Sequence, residues 1–281
     1  MLRDITIGQF FPGNSLLHKL DPRVKLVITF FSILVLFLIR NFLGLGVLLF
    51  FAVVSALVSK VSPRVLWKSF RTIFFIIVFT SAFQLFYHKD GVVLWKPFEN
   101  FEFAVTDVGI YTAVFISVRM IVLILISSLL TYTTSPTMLT DAIERLLSPL
   151  QVFHIKVHAL AMMMTIALRF IPTLIEELEI IISAQKARGA KLDDGNLIER
   201  LRALTTVFIP LFVSAFRRAA DLAVAMECRC YSDAPGRTRL TVMRLHARDY
   251  IVCVFLTVLF AGLLYTSFAS FDGIWILKSV I

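Results

Sequence analysis

Two arginines stand in matching surroundings. Arg188 lies in Ala187-Arg188-Gly189, and Arg229 lies in Cys228-Arg229-Cys230. A guanidinium is always charged and offers five donors in a fixed fork, so an arginine flanked by small residues is suited to gripping acceptors on another molecule. Each arginine follows the same opening, Phe170-Ile171-Pro172 in one case and Phe208-Ile209-Pro210 in the other. The proline-to-arginine distance is 16 residues in the first copy and 19 in the second, a difference close to one helical turn. Gly189 can take the left-handed conformation that closes a helix, and a cation is favourable at a helix carboxyl end. One copy alone reads better as a simple capping charge. The repeat points instead to two presented arginines that dock into two similar grooves on a pair of related subunits.

Other residues could do chemistry. Arg119 sits inside an apolar run, where a charge is either functional or satisfied by a carbonyl or the interface. His154 and His158 are four apart, as two metal ligands on one helix face would be, but no third ligand is near in sequence. Cys228-x-Cys230 could hold a soft metal or simply be structural. Glu176, Glu177 and Glu179 read as a solvated face. Met162-Met163-Met164 reads as adaptable packing. No Gly-x-x-x-x-Gly-Lys-Ser/Thr loop occurs, so nothing resembles a nucleotide site. No cofactor and no metal are expected.

The arginines need elements that hold them out. In the first copy Leu174, Ile175, Leu178, Ile181, Ile182 and Ala184 form an apolar stripe opposite Glu176, Glu177, Glu179 and Lys186. In the second, Leu204, Val207, Phe208, Leu211, Ala215, Ala219, Leu222 and Met226 recur at three- and four-residue steps, widened by Phe212, Phe216 and Ala223. Arg217, Arg218 and Asp221 take the other face, with Arg217 and Asp221 as an i,i+4 pair. These are amphipathic helices made to lie on an apolar surface, either the membrane interface or another protein.

The remainder is membrane-like. The 281 residues are 58% hydrophobic with 27 Phe, and mean hydropathy is +0.86, beyond the 45–50% apolar content of soluble domains. Asp21-Pro22 reads as an N-cap followed by a proline at the first helical position. Apolar runs cover Val24–Ile39, Phe42–Val58, Ile73–Phe86, Ile110–Thr131 and Tyr250–Phe268. Ser135-Pro136 starts another helix. Residues 132–249 carry 15 Lys or Arg and 12 Asp or Glu, the balance of a water-facing region. The basic residues of the amino terminus, the Lys60–Arg71 loop and residues 132–249 fall on one side of five spans, with the acidic loop Tyr87–Gly109 on the other. The expected fold is therefore all-α and integral to the membrane. It has about five transmembrane helices plus two long and one short cytosolic amphipathic helices. Residues 1–131 form a four-span membrane domain, 132–249 the cytosolic helices, and 250–281 the last span and tail. The amino terminus is expected in the cytoplasm. A sixth span is possible if Val157–Leu174 inserts, which Arg169 opposes. The net charge of +9 reflects this topology rather than nucleic-acid binding, and the three cysteines form no disulfide framework.

The chain resembles the T component, or transmembrane energy-coupling subunit, of energy-coupling factor (ECF) transporters, the CbiQ-like family. The resemblance covers nearly the whole chain. It rests on Phe11-Pro12-Gly13-Asn14-Ser15, Leu20-Asp21-Pro22-Arg23-Val24-Lys25, Thr134-Ser135-Pro136, Leu146-Leu147-Ser148-Pro149-Leu150 and above all on Ala184–Ala190 and Ala225–Tyr231. It implies a non-catalytic subunit of a vitamin or micronutrient importer in the cell membrane. Ala187, Arg188, Gly189, Cys228, Arg229 and Cys230 would dock two ABC-type ATPase subunits. The stripe residues Leu174, Leu178, Ile181, Leu204, Phe208, Leu211, Phe212, Ala215 and Leu222 would pack the coupling helices and support a membrane-embedded substrate-binding S component. Cys228 stands where that family usually has Ala, and Cys230 where it usually has Gly. A left-handed residue at Cys230 would cost more than at glycine. A competing reading is a lone ion-coupled carrier or intramembrane enzyme using Arg119 and the His154/His158 pair.

Overall fold

In the computed structural model the residues described are 10–87, 93–95, 105–153, 156–190, 197–231 and 245–278. They form eight α-helices: α1 (Pro22–Leu38), α2 (Phe42–Ser59), α3 (Pro63–Tyr87), α4 (Asp107–Thr133), α5 (Pro136–Leu147), α6 (Val157–Ala187), α7 (Leu197–Cys228) and α8 (Ala247–Lys278). The expected all-α membrane fold is what the structure shows. One addition is a short antiparallel ribbon, β1 (Val93–Trp95) with β2 (Val105–Thr106). Asp90, Glu99 and Glu102 of the acidic loop lie outside the described residues.

Local chemistry sets the helix starts. The Asp21 carboxylate accepts from Arg23 N–H at 2.9 Å, and Pro22 opens α1. Ser135 Oγ accepts from Met138 N–H at 3.3 Å at the head of α5. Both were expected from the residue types. The Arg40-Asn41 break between α1 and α2 also stands where the sequence put it.

Among the described residues, four helices are long and apolar enough to cross a membrane: α2, α4, α6 and the Ala247–Ser267 part of α8. The two arms of α3, bent by 49°, would make a fifth. Length alone separates this set from the sequence expectation, which counts α1 as a span and α6 as a cytosolic helix. With 17 residues, α1 rises only about 26 Å, short of a hydrocarbon core of roughly 30 Å. In contrast, α6 qualifies because Val157–Ala167 and the first repeat fuse into one 31-residue helix. Its Arg169 is exposed.

One compact unit comprises Gly8–Ala142 with Met243–Ile281. Its core joins Val35 and Leu36 of α1, Leu45, Leu48 and Ala52 of α2, Val122, Leu125 and Ile126 of α4, and Leu256 and Phe260 of α8. Large apolar side chains also point outward, among them Phe30, Phe37, Phe50, Phe75 and Phe79. Helices apolar on all sides suit lipid rather than water.

At each end of this unit, side chains satisfy carbonyls that helix ends leave over, as an apolar surround demands. At the α1–α2 turn, Arg119 Nη2 donates to Ile39 O at 2.7 Å, with its guanidinium over the Phe115 ring. Ser267 Oγ donates to Leu38 O at 3.3 Å and accepts from Arg40 N–H at 3.2 Å. At the opposite end, Lys25 Nζ donates to Thr133 O at 3.0 Å and to Thr134 Oγ1 and His18 O at 3.5 and 3.4 Å. Asp249 accepts from Asp21 N–H at 3.2 Å and His246 N–H at 2.7 Å. Phe11 N–H donates to Tyr132 O at 3.1 Å, and the Tyr132 hydroxyl meets Ser69 Oγ. The Asp-Pro-Arg-Val-Lys stretch is therefore a clasp between the start of α1, the end of α4 and the start of α8.

The other unit consists largely of Ile143–Val242. It contains a 3-10 turn (Ser148–Phe153) and the pair α6 and α7. Pro172 and Pro210, which stand at the head of the two repeats, lie inside α6 and α7. An interior proline removes one backbone bond at a cost of about 3 kcal/mol, and the helix closes over it because long flanking segments supply many more bonds than one proline removes.

Candidate docking site at two helix ends

The two arginine motifs fold into the same cap. At the end of α6, Ala190 N–H donates to Gln185 O at 3.0 Å and Gly189 N–H to Lys186 O at 3.0 Å. Gly189 has φ +88°. At the end of α7, Tyr231 N–H donates to Met226 O at 2.9 Å and Cys230 N–H to Glu227 O at 2.8 Å. Cys230 has φ +53°. Both are Schellman closures, with the 6→1 and 5→2 bonds that define the motif. In each, the arginine is the capping residue and the left-handed residue follows it. Ala187, Arg188, Gly189, Cys228, Arg229 and Cys230 are all exposed, so each guanidinium leaves the body beside a helix carboxyl end.

The second closure is made without glycine. A side chain in the left-handed region costs roughly 1–2 kcal/mol relative to the right-handed one. The Cys230→Gly variant is accordingly expected to gain about 1 kcal/mol of stability, and Cys230→Val to lose more than that, because a β-branched residue is worst placed at positive φ. Thermal unfolding of the full chain in detergent checks both. Equal stability of the glycine and valine variants would contradict the strain.

Three contacts fix how α6 and α7 lie together. Gln185 Nε2 donates to Thr206 O at 3.3 Å, Arg218 Nη2 to Glu177 Oε2 at 2.8 Å, and the Tyr231 hydroxyl to Met162 Sδ at 2.8 Å. Falling α6 numbers pair with rising α7 numbers, so the helices are antiparallel. Arg188 then sits at one end of the pair and Arg229 towards the other, about 35 Å apart along the axis at 1.5 Å per residue. Two tips so far apart cannot serve one small site. They can serve two separate bodies.

The stripe residues divide into two sets. Leu211, Ala215 and Leu222 are half-buried, on the same helix face as buried Val207 and the Arg218 that reaches α6. Leu174, Leu178 and Ile181 of α6 are half-buried too. Leu204, Phe208 and Phe212 are exposed, with Phe212 at 60%, and the Phe208 and Phe212 rings stand 6.5 Å apart. Phe216, at 72% exposure, extends that row. One face of α7 meets its own neighbour and another is bare.

Other sequence candidates resolve differently. Glu177 is not simply solvated, since it takes Arg218. Arg119 is spent on the Ile39 carbonyl. His158 Nδ1 bonds Glu144 Oε1 at 2.9 Å, and His154 lies outside the described residues. Cys228 and Cys230 are free and exposed. The contact between Tyr231 and Met162 escaped the sequence reading, for neither residue type announces a thioether partner 69 positions away.

Comparison with known proteins agrees with the motifs. The family described as CbiQ, cobalt transport protein, matches residues 13–240. The chain is 48% identical over 253 residues to the energy-coupling factor transporter transmembrane protein EcfT of Ruminiclostridium cellulolyticum, covering 90% of this chain and 93% of that one. It is 45% identical over 260 residues to the protein of the same name from Clostridium kluyveri, covering 92% and 95%. It is 47% identical over 259 residues to that of Brevibacillus brevis, covering 92% and 97%. With apolar helices fit to span a membrane, paired arginine caps and relatives matched almost end to end, the chain belongs to the CbiQ family, the transmembrane components of energy-coupling factor transporters.

Proposed function

We propose that this chain is the non-catalytic coupling subunit of a vitamin or micronutrient importer. Arg188 and Arg229 each dock one of two ABC-type ATPase subunits. The bare α7 row of Leu204, Phe208, Phe212 and Phe216 supports a membrane-embedded substrate-binding S component. ATP hydrolysis belongs to the ATPases. Their opening and closing moves α6 and α7, and that motion reorients the S component.

The observation that carries this reading is the pair of identical caps at opposite ends of one antiparallel helix pair. A cap that only closed a helix would not need an arginine in the same position twice, nor small exposed neighbours on both sides. The reading also places α5–α7 in the cytoplasm, with the amino terminus on the same side. Support comes from the exposed Arg169 in the apolar part of α6 and from the 15 basic residues of 132–249, which the positive-inside bias assigns to the cytoplasm.

Purification of the tagged full chain from its own cells tests the proposal. Recovery of two ATPase subunits and a small membrane protein is expected, with uptake by proteoliposomes only when ATP and all partners are present. ATP-independent uptake by the chain alone would refute it.

A further inference from the structure

The membrane unit contains a cleft that the coupling function does not use. It has a volume of about 280 Å³ and lies between α1, α2, α4 and α8, with Ile28, Phe51, Ala52, Ile126 and Leu256 among its walls. That is near the lower bound of ligand-sized pockets. Its walls are almost wholly apolar. The Ser32 hydroxyl is turned onto its own helix at Ile28 O, 2.7 Å, and the Lys25 ammonium is occupied by three oxygen acceptors. The interior therefore suits hydrocarbon and offers little to a polar ligand.

The cleft continues into a second hollow of about 540 Å³, and Leu16, Leu20 and Val252 line both. Here the chemistry changes. Lys19, His246 and Arg248 stand at this mouth, all exposed. The one carboxylate among the described residues lining it, Asp249, is 2% exposed and already accepts two backbone N–H groups. An apolar slot with a cationic mouth matches an amphiphile with an anionic head. It does not match a zwitterionic or neutral one, because nothing at the mouth is left to receive a cation.

We propose that this cleft holds an anionic phospholipid of the surrounding bilayer, with one acyl chain between α1, α2, α4 and α8 and its phosphate at Lys19 and Arg248. The lipid would fill the cleft beside the Lys25 clasp. It would hold the start of α1 against the start of α8 through a headgroup bridging the two.

Native mass spectrometry of the full chain tests this, using phosphatidylglycerol and phosphatidylcholine of identical acyl chains as probes. The unaltered chain is expected to retain phosphatidylglycerol at least tenfold better. Lys19→Glu with Arg248→Glu should bring the ratio close to one, since each basic side chain near a membrane surface contributes roughly fivefold. Thr29→Phe, which fills the slot from α1, should lower retention of both lipids. Circular dichroism and a single elution peak establish that each variant is folded. Should either be misfolded, Lys19→Gln with Arg248→Gln and Thr29→Leu replace them. Equal retention of the two lipids by the unaltered chain overturns the proposal. So does a preference that survives loss of both cations, or undiminished binding with the slot filled.

Discussion

Reversing both tip charges, Arg188→Glu with Arg229→Glu, is expected to abolish ATP-driven uptake while the chain stays folded in the membrane. Buried arginine anchors at interfaces rank among the residues whose loss weakens association most, commonly 30-fold or more apiece. A partner pair held at two points also loses avidity when one point fails, by about 10²-fold or more. Each single variant should therefore reduce ATPase copurification on the order of 100-fold, and the double variant should leave none. Folding should be indifferent because both side chains are exposed and the closures are made by backbone atoms. The conservative Arg188→Lys and Arg229→Lys changes keep the charge but lose the fork, and should fall between. Uptake assays in proteoliposomes with the complete complex measure the effect. Full uptake by the double glutamate variant would end the docking account.

Replacing Lys25 by Met is expected to be the most destabilising single change in the membrane unit. Lys25 is 6% exposed. Its ammonium serves His18 O, Thr133 O and Thr134 Oγ1 and lies close enough to Asp21 and Asp249 to interact with both charges. Removing it leaves helix-end carbonyls unmet and takes a nearby cation from buried Asp249 and from Asp21, whose remaining partner is Arg23 at 3.5 Å, a loss of about 3 kcal/mol by analogy with broken buried pairs. Adding Asp249→Asn to Lys25→Met should recover part of this, since one stranded charge then disappears. Thermal unfolding in detergent reads both variants. A loss below about 1 kcal/mol, or no recovery in the double variant, would show that the clasp contributes little.

Features that depend on adjacent residues were legible in the sequence. Asp21-Pro22 and Ser135-Pro136 named their helix starts because capping is decided within three residues. The Arg40-Asn41 break and most of the apolar runs were legible for the same reason. Gly189 announced a left-handed closure by its identity, whereas at Cys230 one came into view only through the resemblance of its motif, because only glycine advertises positive φ. The start of α6 was hidden, because Val157–Ala167 reads as a separate apolar segment and only the structure runs it into the first repeat. The two faces of α7 were also merged, since Leu211 and Phe212 are both apolar and only the position of α6 separates them. Glu177 chose Arg218 over any neighbour on its own helix. That choice rests on the register between two helices, which local periodicity does not encode.

The Glu177–Arg218 bond has a consequence for how such a pair would move. Glu177 is 11 positions before Arg188, and Arg218 is 11 positions before Arg229. The ion pair thus stands midway between the tips, with arms of roughly 16 Å on either side. Pulls of opposite sense on the two ends would turn the helices in scissor fashion about a fulcrum that itself hardly travels, once the Gln185–Thr206 and Tyr231–Met162 contacts beside the tips give way. The greatest sweep would fall at the extremities, so a passenger seated near the centre would be tilted rather than carried.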